Sequence, residues 1–252
     1  MNPLAERLTK IVKDEVKHHR ESELYREPLL GLASAESPLY DELDALIGVP
    51  QMHPKEMLQG AKTVMVYFLP FSEKIVNSIR QDKKIVQEWS HCYTVTNKLL
   101  EHITQRLLKE CRDLGINAVA EPPIGNYDEV ELTAVCAHKS SAVIAGLGTF
   151  GLNRLLITKA GTAGRLGSVV MNADIPPTER PAISYCLYDQ SGTCRVCAQR
   201  CPSGALTTQG FDRFRCNGYL DGKNVHELQQ GCGMCSSGPC ALKGFEKKVS
   251  IK

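Results

Sequence analysis

The chain lacks several features that would place it in a specialised class. It has no apolar run of 18 residues, so no membrane-spanning helix is expected. Its first residues, MNPLAERLTKIVKDEVKHH, have no uninterrupted apolar core of the signal-peptide kind. Charges break each apolar stretch there, and the segment reads as an amphipathic helix of a cytoplasmic protein. There is also little excess charge: the formal net charge is +2, and the whole-chain field gives no reason to expect a nucleic acid or an anionic membrane as partner. Nor is the composition biased toward a disordered or fibrous chain.

What is present is enough apolar material for a large core, 42% hydrophobic over 252 residues, and eleven cysteines. Seven of the cysteines fall between Cys194 and Cys240, with an eighth just ahead at Cys186. A disulfide framework suits a short secreted chain, so in a reducing compartment this density points to metal ligation. The spacing is C-x2-C-x3-C-P from Cys194 to Pro202, then Cys216, then C-x2-C-x4-C from Cys232 to Cys240. In two-cluster ferredoxins the cysteine before proline ligates the other cluster. On that wiring Cys201, Cys216, Cys232 and Cys235 form one set, and Cys194, Cys197 and Cys240 give three ligands of a second. Position 191, where a fourth would usually stand, is serine; Cys186 is the substitute, giving two [4Fe-4S] clusters. A serine-ligated or three-cysteine cluster remains an alternative, as does zinc, which C-x2-C pairs also suit. Cys111 reads as a buried hydrophobe, while Cys92 and Cys136 stand in less apolar settings.

Periodicity locates several elements. Leu4, Leu8, Ile11, Val12 and Val16 share a helical face, TVMVYFLPF at 63–71 is a buried strand, and 94–114 is the longest helix, stopped by Gly115. The stretch between, with Pro38, Pro50 and Pro54, breaks into short pieces. INAVAEPP is a strand, and LLIT and GSVVMN are two strands joined by a glycine-rich turn. Strand, long helix and strand suggest an α/β layer, and the texture changes near Pro176 to Pro181.

Gly146, Gly148 and Gly151 satisfy G-x-G-x-x-G, but the motif lies in mid-chain and no acidic residue follows at the ribose-binding distance, which argues against a dinucleotide site. The glycines would instead let another flat cofactor approach the backbone. AGLGTFGLNRLLIT at 145–158, LGSVV at 166–170, Cys194 to Pro202, Arg215-Cys216-x-x-Tyr219-Leu220 and Gly231-Cys232-Gly233-x-Cys235 together resemble the epoxyqueuosine reductase family and the related corrinoid-dependent reductive dehalogenases. The resemblance covers the second half of the chain.

It implies an α/β (α+β) fold: a nitroreductase-like reductase domain over 1–180, and a ferredoxin-like module with two 4Fe-4S clusters over 181–252. Cobalamin would be bound in the first domain, with Gly146, Gly148, Gly151, Asn153 and Arg154 near the corrin, and His138 and Lys139 are candidate proton donors. The expected function is electron transfer from the clusters to a corrinoid, and on to a small-molecule substrate or a partner corrinoid protein, with a donor such as ferredoxin or flavodoxin. The alternative is a non-catalytic electron-transfer protein. Two departures bear on this. The family's acidic proton donor falls at Leu132, and the chain continues for twelve residues after Cys240, so the helical repeat domain that helps hold tRNA is not expected. Residues 184–252 carry nine Lys/Arg against five Asp/Glu, a local +4 beside anionic clusters, and tRNA is therefore expected to be an unlikely partner.

Overall fold

A computed structural model of the chain describes residues 2–48, 50–81, 87–120, 127–134, 138–222 and 231–246. Asn2 starts the first helix, α1 (Pro3–Lys17): its side-chain oxygen accepts the N–H groups of Leu4 and Ala5, and Pro3 takes the first helical position. Ala5, Leu8, Val12 and Val16 form its buried stripe. The proline-broken stretch becomes β1 (Leu29–Ser34) and the short helices α2 (Pro38–Asp41), α3 (Leu43–Ile47) and α4 (Pro54–Met57), two of which begin on a proline.

Then come β2 (Thr63–Pro70), α5 (Glu73–Gln81) and α6 (Gln87–Asp113). The long helix begins at Gln87 and not at 94, because buried Trp89 and Cys92 extend its apolar face by a turn and more. Next are β3 (Ala118–Val119), β4 (Tyr127–Asp128), β5 (Thr133–Ala134) and α7 (His138–Ile144), then β6 (Gly148–Phe150), β7 (Leu156–Thr158) and β8 (Gly164–Met171). Among the described residues beyond 184 the elements are short, and they include α8 (Leu187–Ser191), α9 (Val196–Gln199) and α10 (Arg213–Asp221). Among the described residues no helix is long and apolar enough to cross a membrane.

The main sheet has the order β1-β2-β8-β3 and is antiparallel at every pairing, which selects the α+β form of the expected fold class. The two strands read around the glycine turn do not pair with each other. β7 pairs with β6, while β8 inserts between β2 and β3. Sheet alternation gives β2 two buried faces: Met65, Tyr67 and Leu69 meet the core containing α1, α5 and α6, and Val64, Val66 and Phe68 meet α7 and the short helices.

The C-terminal segment is stitched to this body through backbone carbonyls. Arg26 donates to Phe71, Leu242 and Ala160; Arg80 donates to Ser237 and Gly238; Arg200 reaches back to Ile79 and Arg80. Trp89 Nε1 donates to the Gly231 carbonyl at 2.8 Å.

Candidate metal centres

Cys186 immediately precedes α8, Cys194 follows that helix, Cys197 lies in α9, and Cys240 sits in the turn Pro239–Ala241. All four line one small cavity, together with Asn153 and Ile157. Burial, then the charges of Cys186, Cys197 and Cys194, pushes the Cys240 thiol up to about 12. Burial pushes Cys197 up to about 11, with Cys186 and Cys194 adding to it. Ser191 is engaged elsewhere: its hydroxyl donates to the Leu187 carbonyl and shares a hydrogen bond with Thr193 Oγ1, each at 2.8 Å.

The other set is gathered from α10 and two loops. Burial, then Cys232 and Cys201, pushes the Cys216 thiol up to about 11. Burial raises Cys235 as well, followed by Cys232, Cys216, Cys201 and, from the first set, Cys197. Cys201 goes the other way. Burial opposes its ionisation, but the Ser203 hydroxyl and the N–H groups of Leu206, Ser203 and Ala205 outweigh it and bring the thiol below its usual range. Among the described residues no group of three or more His, Cys, Asp or Glu side chains closes around a single metal ion.

The glycine motif serves the chain's own packing. Gly146 has φ 74° and faces the Glu179 carbonyl, Gly148 lies against the Ile157 carbonyl, and a Cβ on Gly151 would come 2.5 Å from Ile157 Cδ1 and 3.3 Å from Cys186 Sγ. Asn153 is buried and bonded to the backbone of Cys235, whereas Arg154 is exposed, with a left-handed φ of 57°. His138 Nδ1 shares a hydrogen bond with Ser168 Oγ at 2.7 Å. Lys139 reaches solvent but is ringed by protein; desolvation lowers its pKa, opposed by Cys235 and reinforced by Arg165. Arg165 stacks 4.2 Å from the Tyr93 ring centre and donates to Tyr93 and Asn97, a constellation without a local sequence signal. Cys92 and Cys111 are buried among apolar side chains, and Cys136 lies outside the described residues.

Leu132, at the position where the resemblance places an acid, has φ 54° and donates its N–H to the Asp128 carbonyl. Asp128 Oδ1 accepts the N–H groups of Val130 and Glu131, and Glu131 pairs with Arg213 at 3.1 Å.

No family model matches the chain. The epoxyqueuosine reductase of Lactococcus garvieae is 29% identical over 171 residues, covering 67% of this chain and 46% of that protein. That of Bacillus anthracis is 25% identical over 177 residues, covering 67% and 42%. The chain therefore spans about half the length, or less, of these curated relatives. Among solved structures, epoxyqueuosine reductase from Streptococcus thermophilus superposes with a TM-score of 0.59 at 20% identity, covering 95% of this chain and 68% of that one. A reductive dehalogenase whose structure suggests a mechanism for B12-dependent dehalogenation gives 0.53 at 17%, covering 82% and 28%. An epoxyqueuosine reductase solved with a tRNA-Tyr epoxyqueuosine-modified stem loop gives 0.55 at 18%, covering 94% and 67%.

The last of these overturns the expectation that tRNA is an unlikely partner. Net charge was the wrong criterion, because a stem loop can be recognised by shape and a few local contacts, without an extended basic surface. Over about two thirds of its length the chain is similar in sequence to epoxyqueuosine reductases, and its fold is that of solved epoxyqueuosine reductases and a reductive dehalogenase.

Proposed function

We propose that the chain is a reductase using two [4Fe-4S] clusters and cobalamin, with residues 1–180 as its reductase domain and 181–252 as its cluster module. The observation that carries this reading is the gathering of eight cysteines into two groups of four, one around a single cavity and the other within one another's electrostatic reach. The donor chemistry fits. Both sets are all-thiol, and a cubane spreads its ligands around a body wider than one ion, which suits thiols that line a cavity without closing on a point. Cys186, Cys194, Cys197 and Cys240 would hold one cluster, and Cys201, Cys216, Cys232 and Cys235 the other.

When bound, the clusters supply one-electron transfer and cobalamin supplies the acceptor that passes electrons to a substrate. The chain's own part is to present eight thiolates, two of them buried and six half-buried. Arg80 and Arg200 clamp the Ser237–Gly238 segment beside Cys240, and Trp89 holds the carbonyl next to Cys232. For the corrinoid, the family likeness is the support. The Cβ positions of Gly146, Gly148 and Gly151 point into the chain itself, so ring contact there gains no support; Asn153 donates to the Cys235 carbonyl, and Lys139 lies within electrostatic reach of both Cys235 and Arg165. A tRNA-borne substrate enters through the same likeness.

A second reading, electron transfer without a substrate of its own, is favoured by Leu132, since Asp128 and Glu131 are occupied in the 127–134 hairpin. Anaerobic purification with iron, sulfide and corrinoid analysis separates the two, and about eight iron and eight sulfide per chain are expected. Stoichiometric zinc without sulfide would overturn the cluster reading. Intact clusters with no corrinoid bound, and no change in an epoxyqueuosine-bearing stem loop, would leave the electron-transfer reading standing.

A further inference from the structure

The turn between β6 and β7 touches both cysteine sets. Leu152 N–H donates to Cys186 Sγ at 3.5 Å. One residue on, Asn153 is 5% exposed and is fixed at both ends of its amide: Nδ2 donates to the Cys235 carbonyl at 3.1 Å, and Oδ1 accepts the Leu155 N–H at 3.1 Å. The same side chain lines the cavity of Cys186, Cys194, Cys197 and Cys240. A turn of the body is therefore wedged between the two sets and anchored to one while donating to the sulfur of the other.

We propose that Asn153 is a positioning residue that sets the reduction potential of the cluster held by Cys186, Cys194, Cys197 and Cys240. The inference rests on the two-cluster reading above. An N–H aimed at a ligand sulfur stabilises the more negative, reduced state and raises the potential. Asn153 touches that sulfur only through its neighbour: its grip on Cys235 keeps the turn from swinging and so holds the Leu152 N–H on Cys186. Its bond to the second set ends on a backbone carbonyl, away from the Cys235 sulfur, so the effect there is smaller. Without the amide, the turn keeps its hairpin but loses its outer anchor.

The test is an anaerobic redox titration followed by electron paramagnetic resonance, with the Cys186-side signal assigned by its loss in Cys186→Ala. Asn153→Ala is expected to keep its iron and to move that signal to a more negative midpoint, leaving the other in place. Gly151→Ala presses on the Asn153 amide at Oδ1 (3.2 Å) and on Cys186 Sγ (3.3 Å) from the other end of the turn, at the modest expense of a shift in Ile157 Cδ1, and so disturbs the same anchor without removing the amide. It should move the same signal, and it serves as the test should Asn153→Ala not fold. Unchanged midpoints in both variants, or a shift confined to the Cys235 side, would overturn the proposal. Wild-type protein without iron and sulfide would instead remove the cluster reading, and this inference with it.

Discussion

From Thr63 to Pro70, β2 buries every residue; from Arg213 to Asp221, α10 buries none. The body has an apolar stripe on nearly every element, and both faces of β2 meet closed cores. Among its described residues the cysteine-bearing segment contributes only a few buried apolar side chains, and two of these, Met234 and Ala241, complete the body's core and not one of their own. Apolar burial therefore suffices for the body, while the segment depends on arginine bonds to its carbonyls and on whatever its thiols hold.

The largest effect expected from this contrast is in the body. Leu100 is fully buried in the core under the sheet, and Leu100→Ala should cost about 2–5 kcal/mol, read as a lower denaturant midpoint of the whole chain. Cys216→Ala should instead lose about half the iron and leave the body's transition in place. A Cys216→Ala protein whose body melts as early as Leu100→Ala would break the contrast, since it would mean that the segment's ligands also hold the sheet together.

The next effect is one of pH on the metal-free protein. The thiols of Cys197 and Cys216 are pushed up to about 11 and that of Cys240 to about 12, against an ordinary value of 9.0. A raised thiol pKa means that folding favours the neutral form. The contribution is fully present below pH 9.0 and is lost as pH rises through about 11 to about 12. Limited proteolysis across this range should cut within 184–246 at progressively lower protease concentration. Iron-loaded protein, whose thiols are already thiolates, should not show the trend; the same trend in both forms would sink the explanation.

The elements that could be read from sequence are those whose signal is local. The stripe of α1 and the run at 63–71 follow from period and composition, while the two cysteine sets are a proposal read from the spacing pattern, for iron analysis to test. The pairing of β8 with β2 and β3 could not be read, because it joins Thr63 to Met171 and Ala118 to the same residue, across distances that no window spans. For the same reason the packing role of the glycine motif could not be read: Gly148 is required by the Ile157 carbonyl nine positions away, in a hairpin the motif itself does not announce. Arg26, Arg80 and Arg200 look like ordinary surface charges until their carbonyl partners are known.

The smallest effect concerns the one position where a cysteine was expected and serine stands. Ser191 closes α8, bonded to the Leu187 carbonyl and to Thr193, and Gly192 then turns the chain with φ 71°. A serine oxygen already shared between two partners is a poor competitor for a metal when Cys186 lines the cavity itself. Ser191→Ala should thus cost no more than about 1 kcal/mol, the net value of a typical hydrogen bond, and leave the iron content unchanged. Cys186→Ala should remove one cluster's worth, about four iron. If Ser191→Ala were the variant that lost iron and Cys186→Ala kept it, the ligand would have to be assigned to the serine, and the boundary of the first set would move from the start of α8 to its end.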